Sequence, residues 1–246
     1  MNLILLEPGD FLSSDSAPDI APDTVRISGR RYQHIIEVHR AEVGDTLRVG
    51  LLNGLIGDGE VIEHREGHIA LQVSLKRESP APLPLTLILA LPRPKMLKRT
   101  LQNATALGAK KIYLINAYRV EKSYWQSPWL AASKLREQCV LGLEQAVDTQ
   151  MPEIQLRKRF KPFVEDELPT IAADSRKLVA HPVTEQPCPV DIRQQTTLAI
   201  GPEGGFIPYE VEKLQEAGFE SVHLGPRILR VETALPVLLS RLFPSN

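Results

Sequence analysis

The sequence predicts an α/β protein with a small β-rich first domain and a larger second domain in which strands and helices alternate. In residues 1–77, short β-type runs are separated by Gly-Asp and Asp-Gly turns. Three prolines then fall within five positions of the stretch ESPAPLPL, which is typical of a stiff connector. From residue 84 onward, apolar runs of strand length alternate with segments of helical periodicity, as in a mostly parallel sheet covered on both faces.

The first domain is expected to form a small barrel of roughly 75 residues. Its strands are predicted in the runs LILL, TVRI, TLRVGLL, LIGDGEVIEH and HIALQVSL. One short helical patch interrupts them around Arg30 to Arg40. The strand runs are rich in Val, Ile, Leu and Thr, which suit a pleated, half-buried surface.

The second domain is predicted to alternate strands and helices up to its last residue. The strands are LTLILAL, KIYLI, RKLVAH, TLAI and SVHL. The helices are PKMLKRTLQNATAL, ending at Gly108, then WLAASKLREQCVLGLEQAV, then Pro208 to Ala217, stopped by Gly218, and a terminal helix. Parallel sheets bind ligands beyond the carboxyl ends of their strands, so we expect the site at that edge.

Composition excludes several classes of protein. Apolar residues make up 43% and charged residues 24% of the chain, which is ordinary for a globular protein. No apolar run reaches the length of a membrane helix, and MNLILLEPGD lacks the basic start of a signal peptide, so a cytoplasmic location is expected. Two cysteines without a CxxC pair, and histidines without ligand spacing, give no reason to expect a metal or a disulfide.

The charges are distributed unevenly. Residues 1–79 hold eight Lys and Arg against thirteen Asp and Glu, whereas residues 80–246 hold twenty-one against seventeen. The positive side chains of the second part cluster in RPKMLKR (93–99) and RKRFK (157–161). Such clusters can follow a phosphate backbone, although on their own a solvated helix face is the more common explanation.

Two apolar strands each run directly into a Gly-Pro turn. TLAI is followed by GPEGG, and SVHL by GPRILRVET, so the two turns are expected to form the walls of one cleft. Gly201, Gly204 and Gly205 fall within five positions, which favours close approach of a ligand to bare backbone. The spacing matches neither GxxxxGK[ST] nor GxGxxG, and Glu203 would repel a phosphate. A neutral or cationic ligand is therefore expected.

The second turn combines an apolar pair with polar neighbours. Arg227, Arg230 and Glu232 surround Ile228 and Leu229, so an apolar wall carries groups able to hold a polar substrate. Thr233 is expected to cap the terminal helix, with a proline in its first turn. The alternative is that Arg230 and Glu232 are only surface ions.

The motifs IGPEGGF and LGPRILRVETA resemble the paired signature of the RsmE family, the 16S ribosomal RNA uridine-N3 methyltransferases of the SPOUT class. YQHIIEVHRAEVGD and RKLVAHP are similar to further segments of that family. The resemblance implies a PUA-like β-barrel over residues 1–77, expected to bind RNA, and a SPOUT methyltransferase domain with a trefoil knot over residues 84–246. It also implies S-adenosylmethionine as cofactor, ribosomal RNA or the small ribosomal subunit as partner, and a homodimer with the active site near its interface.

The resemblance also implies roles for individual residues. Arg230 would stabilise the uracil anion, and Glu232 or Glu203 would accept the N3 proton or orient Arg230. Twelve positions are expected to hold the cofactor: Leu178, Ala180, His181, Ile200, Gly201, Gly204, Gly205, Leu224, Gly225, Ile228, Leu229 and Thr233. Seven cations are expected to contact RNA: Arg30, Arg31, Arg40, Arg93, Lys95, Arg119 and Lys122.

Three segments depart from the family pattern. NATALG (103–108) lacks two charges at Asn103 and Ala106, NAYRVEKSYW keeps only Arg119 and Lys122 as positive groups, and Asp148 stands where the family has an arginine. These changes reduce positive charge or polar contacts on the expected RNA side. Two alternatives stay open: an RNA-binding protein of this fold that has lost catalysis or acts on another RNA, and, more remotely, a dinucleotide-dependent enzyme.

Overall fold

Two units, each with its own sheet, divide the chain in a computed structural model that describes residues 2–12 and 23–244. The first unit is Met1–Pro80 together with Leu143–Met151, and the second is Ala81–Gly142 together with Pro152–Asn246. Among the described residues, no helix combines the length and the apolar character needed to cross a bilayer.

The first unit contains a curled, mixed sheet of five strands in the order β1-β3-β4-β5-β2. β1 and β3 are parallel, whereas the other neighbours are antiparallel. After β1, the chain reaches the opposite edge of the sheet, where Phe11 forms an isolated antiparallel bridge with Val25. The strands match the predicted runs: β1 Ile4–Leu6, β2 Thr24–Ser28, β3 Thr46–Leu51, β4 Ile56–Arg65 and β5 His68–Arg77.

The predicted helical patch is present as α1, Gly29–His34, which continues into a π-helical turn, Ile35–His39. The turn ends at Arg40, whose φ of 53° is left-handed. Ile35 is fully buried and packs with the apolar faces of the strands. Alternating burial along β4 leaves its polar positions exposed, as expected for a sheet with one face in the core.

Residues 143–151 belong to the first unit, although they follow most of the long helix in sequence. The carboxylate of Glu144 is buried and pairs with Arg30 at 2.8 Å. Asp148 is only 4% exposed and accepts hydrogen bonds from the Ser79 hydroxyl and the Gln150 amide, each at 2.8 Å. Asp148 is therefore a buried acceptor that holds a turn, so its carboxylate is not exposed to a ligand such as RNA.

The second unit contains a six-stranded sheet in the order β11-β9-β10-β6-β7-β8, in which every neighbouring pair is parallel. β6 and β10 are buried along their whole length, because helices cover both faces of the central strands. The strands are β6 Leu85–Ala90, β7 Lys111–Ile115, β8 Glu153–Arg157, β9 Arg176–Ala180, β10 Thr196–Ile200 and β11 Glu220–Val222. β8 was not predicted, because it is a short, half-buried edge strand whose pairing partner, β7, is distant in sequence.

Six α-helices follow from α2 onward in the described part of the chain, and three of them differ from prediction. They are α2 Pro94–Ala106, α3 Ala132–Ala146, α4 Phe160–Pro162, α5 Leu168–Ile171, α6 Pro208–Glu216 and α7 Val231–Leu242. The long helix α3 begins three residues later than Trp129, because Pro128 starts a 3-10 turn and Ala131 is extended. The short helices α4 and α5, joined by a π-helical turn, were not predicted.

Candidate active site

A cavity of about 240 Å³ lies at the carboxyl ends of β9, β10 and β11, within the second unit. Three chain segments form most of its wall: residues 180–182, 200–205 and 222–229. The two Gly-Pro turns therefore face one cavity, although they do not follow neighbouring strands. β9 lies between β10 and β11, and its last residues form the floor between the turns. Val231, Ala234 and Leu238 of α7 close one side.

Backbone geometry explains the glycines of these turns. A Cβ added to Gly201 would lie 2.9 Å from the Phe206 nitrogen, and one added to Gly204 would lie 2.8 Å from the Arg119 side chain. Gly205 and Gly225 have φ angles of +74° and +112°, which L side chains rarely adopt. The turns therefore expose bare backbone N–H and C=O groups to whatever occupies the cavity.

Glu203 lies in the wall of the cavity and is held from the side of β6. Its carboxylate accepts a hydrogen bond from the Arg93 backbone N–H at 3.1 Å, and the Arg93 guanidinium lies 3.8 Å away. A carboxylate in this wall opposes the binding of a phosphate and tolerates a positive charge. The neutral or cationic ligand predicted from sequence suits this arrangement.

The glycine turn after β10 is also attached to the loop after β7. The Arg119 guanidinium donates to the carbonyl of Gly204. Glu210, which is 3% exposed, accepts hydrogen bonds from the backbone N–H groups of Tyr118 at 2.7 Å and Ile207 at 3.0 Å. One buried carboxylate thus joins the end of the glycine turn, the start of α6 and the β7 loop. Hydrogen bonds to a charged acceptor are among the stronger ones, so we expect this junction to be stable.

His181, at the end of β9, has an unusual environment. Its backbone N–H donates to Val222, whereas its Nδ1 atom is buried and has no hydrogen-bond partner among the described residues. Burial lowers the pKa of His181, so the ring is neutral at neutral pH. An unpartnered buried nitrogen is unfavourable unless a ligand or water satisfies it, and His181 borders the cavity.

Arg230 and Glu232 lie at the start of α7, beside the cavity but outside its wall. Arg230 is the N-cap residue, and its carbonyl accepts the N–H groups of Thr233 and Ala234. Among the described residues, neither the Arg230 nor the Glu232 side chain makes a hydrogen bond or an ion pair. Thr233 is the third residue of the helix, so the expectation that it caps the helix was wrong; the chain turns helical two residues earlier, at Val231.

Most of the residues expected to hold a cofactor lie in the cavity wall. Leu178 and Thr233 lie outside it, since Leu178 is fully buried within β9 and Thr233 is exposed. The wall contains Ala180, His181, Ile200, Gly201, Gly204, Gly205, Leu224, Gly225, Ile228 and Leu229. Sequence reasoning missed the contribution of α7, which a helical periodicity of apolar residues from Val231 to Leu238 could have indicated.

The cations expected to contact RNA differ in how free they are. In the first unit, Arg31 is fully engaged by a two-bond contact to Asp10 at 2.6 and 2.7 Å and by the Leu5 carbonyl. Asp10 also raises the pKa of Arg31 above its ordinary value. Arg30 pairs with Glu144, whereas Arg40 is exposed. Of these three, Arg40 is the side chain most available to a ligand.

In the second unit, Lys95 and Lys122 are exposed, while Arg93 and Arg119 contact the glycine turn. The altered positions Asn103 and Ala106 are half-buried in α2. Across residues 2–12 and 23–244, no group of three or more His, Cys, Asp or Glu side chains could hold a metal ion.

Known proteins resemble this chain in sequence and in fold. The family model of the RNA methyltransferase domain matches residues 79–243. Ribosomal RNA small subunit methyltransferase E of Treponema pallidum is 29% identical over 95% of this chain and 87% of its own length. The protein of the same name from Mycobacterium bovis is 28% identical over 92% and 87%.

Two solved structures share the fold. A methyltransferase from Legionella pneumophila in complex with the bound cofactor SAM has a TM-score of 0.71 at 23% identity, over 97% of this chain and 95% of that one. Ribosomal RNA small subunit methyltransferase E from Neisseria gonorrhoeae, bound to S-adenosyl methionine, has a TM-score of 0.71 at 21% identity, over 98% and 95%.

Proposed function

The chain belongs to the RNA methyltransferase family, and from this membership we propose that it transfers the methyl group of S-adenosylmethionine to N3 of a uridine in 16S ribosomal RNA. One observation carries the proposal: the cavity at the ends of β9, β10 and β11 combines exposed glycine backbone, apolar walls and the carboxylate of Glu203. Relatives that match most of the chain are named as methyltransferases of small-subunit ribosomal RNA, which supports the substrate.

The residues of the cavity suit S-adenosylmethionine. Ile200, Leu224 and Leu229 offer apolar surface for the adenine ring, and the glycine turns offer backbone groups to its polar edge. When bound, this cofactor supplies a methyl group on a positively charged sulfonium. Glu203 tolerates that charge, and a neutral His181 does not oppose it.

The chain's own groups have two tasks in methyl transfer. They must align the acceptor nitrogen, and they must remove its proton, because uridine N3 carries a hydrogen that leaves as the new carbon–nitrogen bond forms. Arg230, with a side chain unpaired among the described residues, stabilises the negative charge on the uracil oxygens. Glu232 accepts the proton, since the carboxylate of Glu203 is already held by Arg93.

The finer features of the fold form part of the same proposal. We propose that the first unit is a PUA-like barrel that binds RNA, supported by its curled sheet and by the exposed Arg40. We propose a trefoil knot in the second unit, supported by hydrogen bonds that tie residues 188–192 to the end of α7, among them Ile192 to Leu242 at 2.7 Å. We also propose a homodimer that completes the site, supported by the exposed apolar side chain of Ile228 in the cavity wall. Its proposed place of action on ribosomal RNA is the cytoplasm.

Deletion of the gene tests the proposal. We expect N3-methyluridine to disappear from one position of 16S ribosomal RNA, as mapped by mass spectrometry, and to return with the wild-type gene but not with Arg230→Ala. An unchanged pattern of N3-methyluridine would overturn the proposed substrate.

A binding titration with S-adenosylmethionine separates the enzyme from a relative that only binds RNA. The enzyme takes up the cofactor saturably, whereas a binding protein that has lost catalysis shows no uptake. Absence of saturable uptake, together with unchanged ribosomal RNA, would favour the binding protein.

A further inference from the structure

Tyr118 lies just beyond the end of β7 and is 78% exposed. A single exposed apolar side chain is normal on a protein surface, so exposure alone decides nothing. Two further observations give this tyrosine a role. Its backbone is fixed to the glycine turn of the candidate active site, and its neighbours along the carboxyl edge of the sheet are mainly cationic.

The loop that carries Tyr118 is anchored from several sides. The Tyr118 N–H donates to the buried carboxylate of Glu210, which also holds Ile207 at the end of the glycine turn. The next residue, Arg119, donates to Gly204, whose backbone lines the cavity. The buried carboxylate of Glu210 therefore anchors a loop whose tyrosine side chain is mostly exposed to solvent. An exposed aromatic ring with few rotatable bonds on an anchored backbone is typical of a binding contact.

Five cations follow the strands at the edge of the sheet where Tyr118 lies. Arg93 follows β6, Arg119 and Lys122 follow β7, and Lys158 and Arg159 follow β8. All five are exposed. β8 is paired directly with β7, and the Asn116 N–H extends this pairing to the Arg157 carbonyl at 2.9 Å. Part of the RKRFK cluster thus lies on the same edge as the cavity.

We infer that Tyr118 is a stacking platform for an unpaired base of the RNA, next to the target uridine, while the cations at the ends of β6, β7 and β8 hold the adjoining phosphates. This inference rests on the proposed function and extends it to how the RNA enters the site. Proteins that bind single-stranded RNA combine aromatic rings, on which bases stack, with a basic groove along the backbone.

The charge of this edge favours RNA over a second copy of the chain as the group that covers Tyr118. A phosphate chain neutralises the cations at the ends of β6, β7 and β8, and it releases counterions when it does so. Two identical positive edges brought together would repel each other. If another copy of the chain were found to cover Tyr118, the stacking role would therefore be contradicted.

Fluorescence anisotropy with two labelled oligomers of equal length tests the inference. One is single-stranded oligouridine, and the other is the same sugar-phosphate chain without bases. The wild-type protein should bind oligouridine more tightly, and Tyr118→Ala should lower that affinity by about tenfold while leaving affinity for the abasic chain unchanged. Tyr118→Phe should stay close to wild type, since it keeps the ring. Tyr209→Ala removes another exposed tyrosine of the same unit and should change neither affinity.

Several results would overturn the inference. They are equal binding of both oligomers by the wild-type protein, equal loss on both oligomers in Tyr118→Ala, and a change of oligomeric state in Tyr118→Ala by sedimentation. Binding of S-adenosylmethionine and methyl transfer to small ribosomal subunits from a strain that lacks the gene are measured in parallel for each protein. If the wild-type protein transfers methyl groups but Tyr118→Ala binds oligouridine normally, the stacking role fails while the proposed function stands. If no methyl transfer occurs, the proposed function fails whatever the RNA affinities are.

Discussion

The two Gly-Pro turns that face the cavity differ sharply in how the protein supports them. The turn after β10 is held by Arg93, Arg119 and Glu210, and it also contains an internal bond from Gly205 to Pro202 at 2.7 Å. The turn after β11 is exposed from residue 226 to residue 230, and Ile228 is 82% exposed. Among the described residues, no side chain of 226–230 makes a hydrogen bond or an ion pair.

This difference suggests a division of labour. The turn after β10 is preorganised, so the proposed binding of the cofactor there would cost little conformational entropy. The turn after β11 carries the proposed catalytic Arg230, whose backbone caps α7 but whose side chain contacts no partner among the described residues, so the working position of that side chain depends on what binds against it. RNA, a second copy of the chain, or both can supply that support. Variants of the first turn should therefore change stability and cofactor affinity, and variants of the second should change methyl transfer.

The largest effect on activity is expected for Arg230→Ala, at the end of the turn after β11. Methyl transfer should fall by about 100-fold or more, because a group that stabilises developing charge is lost. Affinity for S-adenosylmethionine, measured by isothermal titration, should stay close to wild type. Arg193→Ala removes another exposed arginine of the same unit, whose side chain is 89% exposed, and should leave both quantities unchanged. Equal losses of transfer and cofactor affinity in Arg230→Ala would contradict the assignment.

The next largest effect is expected for Glu210→Ala, in the junction that supports the first turn. Loss of the buried carboxylate leaves the N–H groups of Tyr118 and Ile207 without their charged acceptor and should lower the free energy of unfolding by about 3 kcal/mol. Urea denaturation measures the change. Glu212→Ala, an exposed carboxylate on the same helix, should change the free energy by less than about 0.5 kcal/mol. Similar values for the two variants would show that the junction does not stabilise the fold.

A smaller effect is expected for Gly205→Ala, which strains the first turn at its φ of +74°. The strain should lower the free energy of unfolding by about 1 kcal/mol and weaken cofactor binding, because Gly205 lines the cavity. Gly9→Ala is the control, since an added Cβ there meets nothing and its φ is not left-handed. Unchanged stability and affinity in Gly205→Ala would show that the turn adapts freely.

The smallest effect concerns His181, which lies between the two turns. Burial lowers the pKa of His181 below its ordinary value of 6.5, so the ring is neutral in the folded protein at neutral pH. Stability from the neutral ring is present above pH 6.5 and is lost as pH falls through the lowered pKa. Over the same range, protonation places a positive charge near the proposed sulfonium site and should weaken cofactor binding. His181→Gln should flatten the dependence of cofactor affinity on pH, and an equally steep dependence in both proteins would contradict this role.

The sequence predicted strands and motifs well where local pattern decides the structure. The apolar runs of β6 and β10 and the helix from Pro208 follow directly from composition and periodicity. It did not predict β8, nor the addition of residues 143–151 to the first unit, because both depend on contacts with residues distant in sequence.

The site was likewise predictable in part. Glycines in a strand-to-helix turn indicate close approach of a ligand, and the cavity lies there. The role of Glu210 was not predictable, because nothing local distinguishes a carboxylate that caps its own helix from one that also holds Tyr118, far away in sequence. The contacts that support a turn come from residues distant in sequence, so local sequence patterns could not show that the two turns differ.

The most direct test of methyl transfer uses purified protein, S-adenosylmethionine with an isotopically labelled methyl group, and small ribosomal subunits from a strain that lacks the gene. We expect the label to appear in N3-methyluridine at one position of 16S ribosomal RNA, located by mass spectrometry, and we expect Arg230→Ala to bind the cofactor but to transfer almost no label. Label at another atom or in no nucleotide, or full transfer by Arg230→Ala, would contradict this expectation.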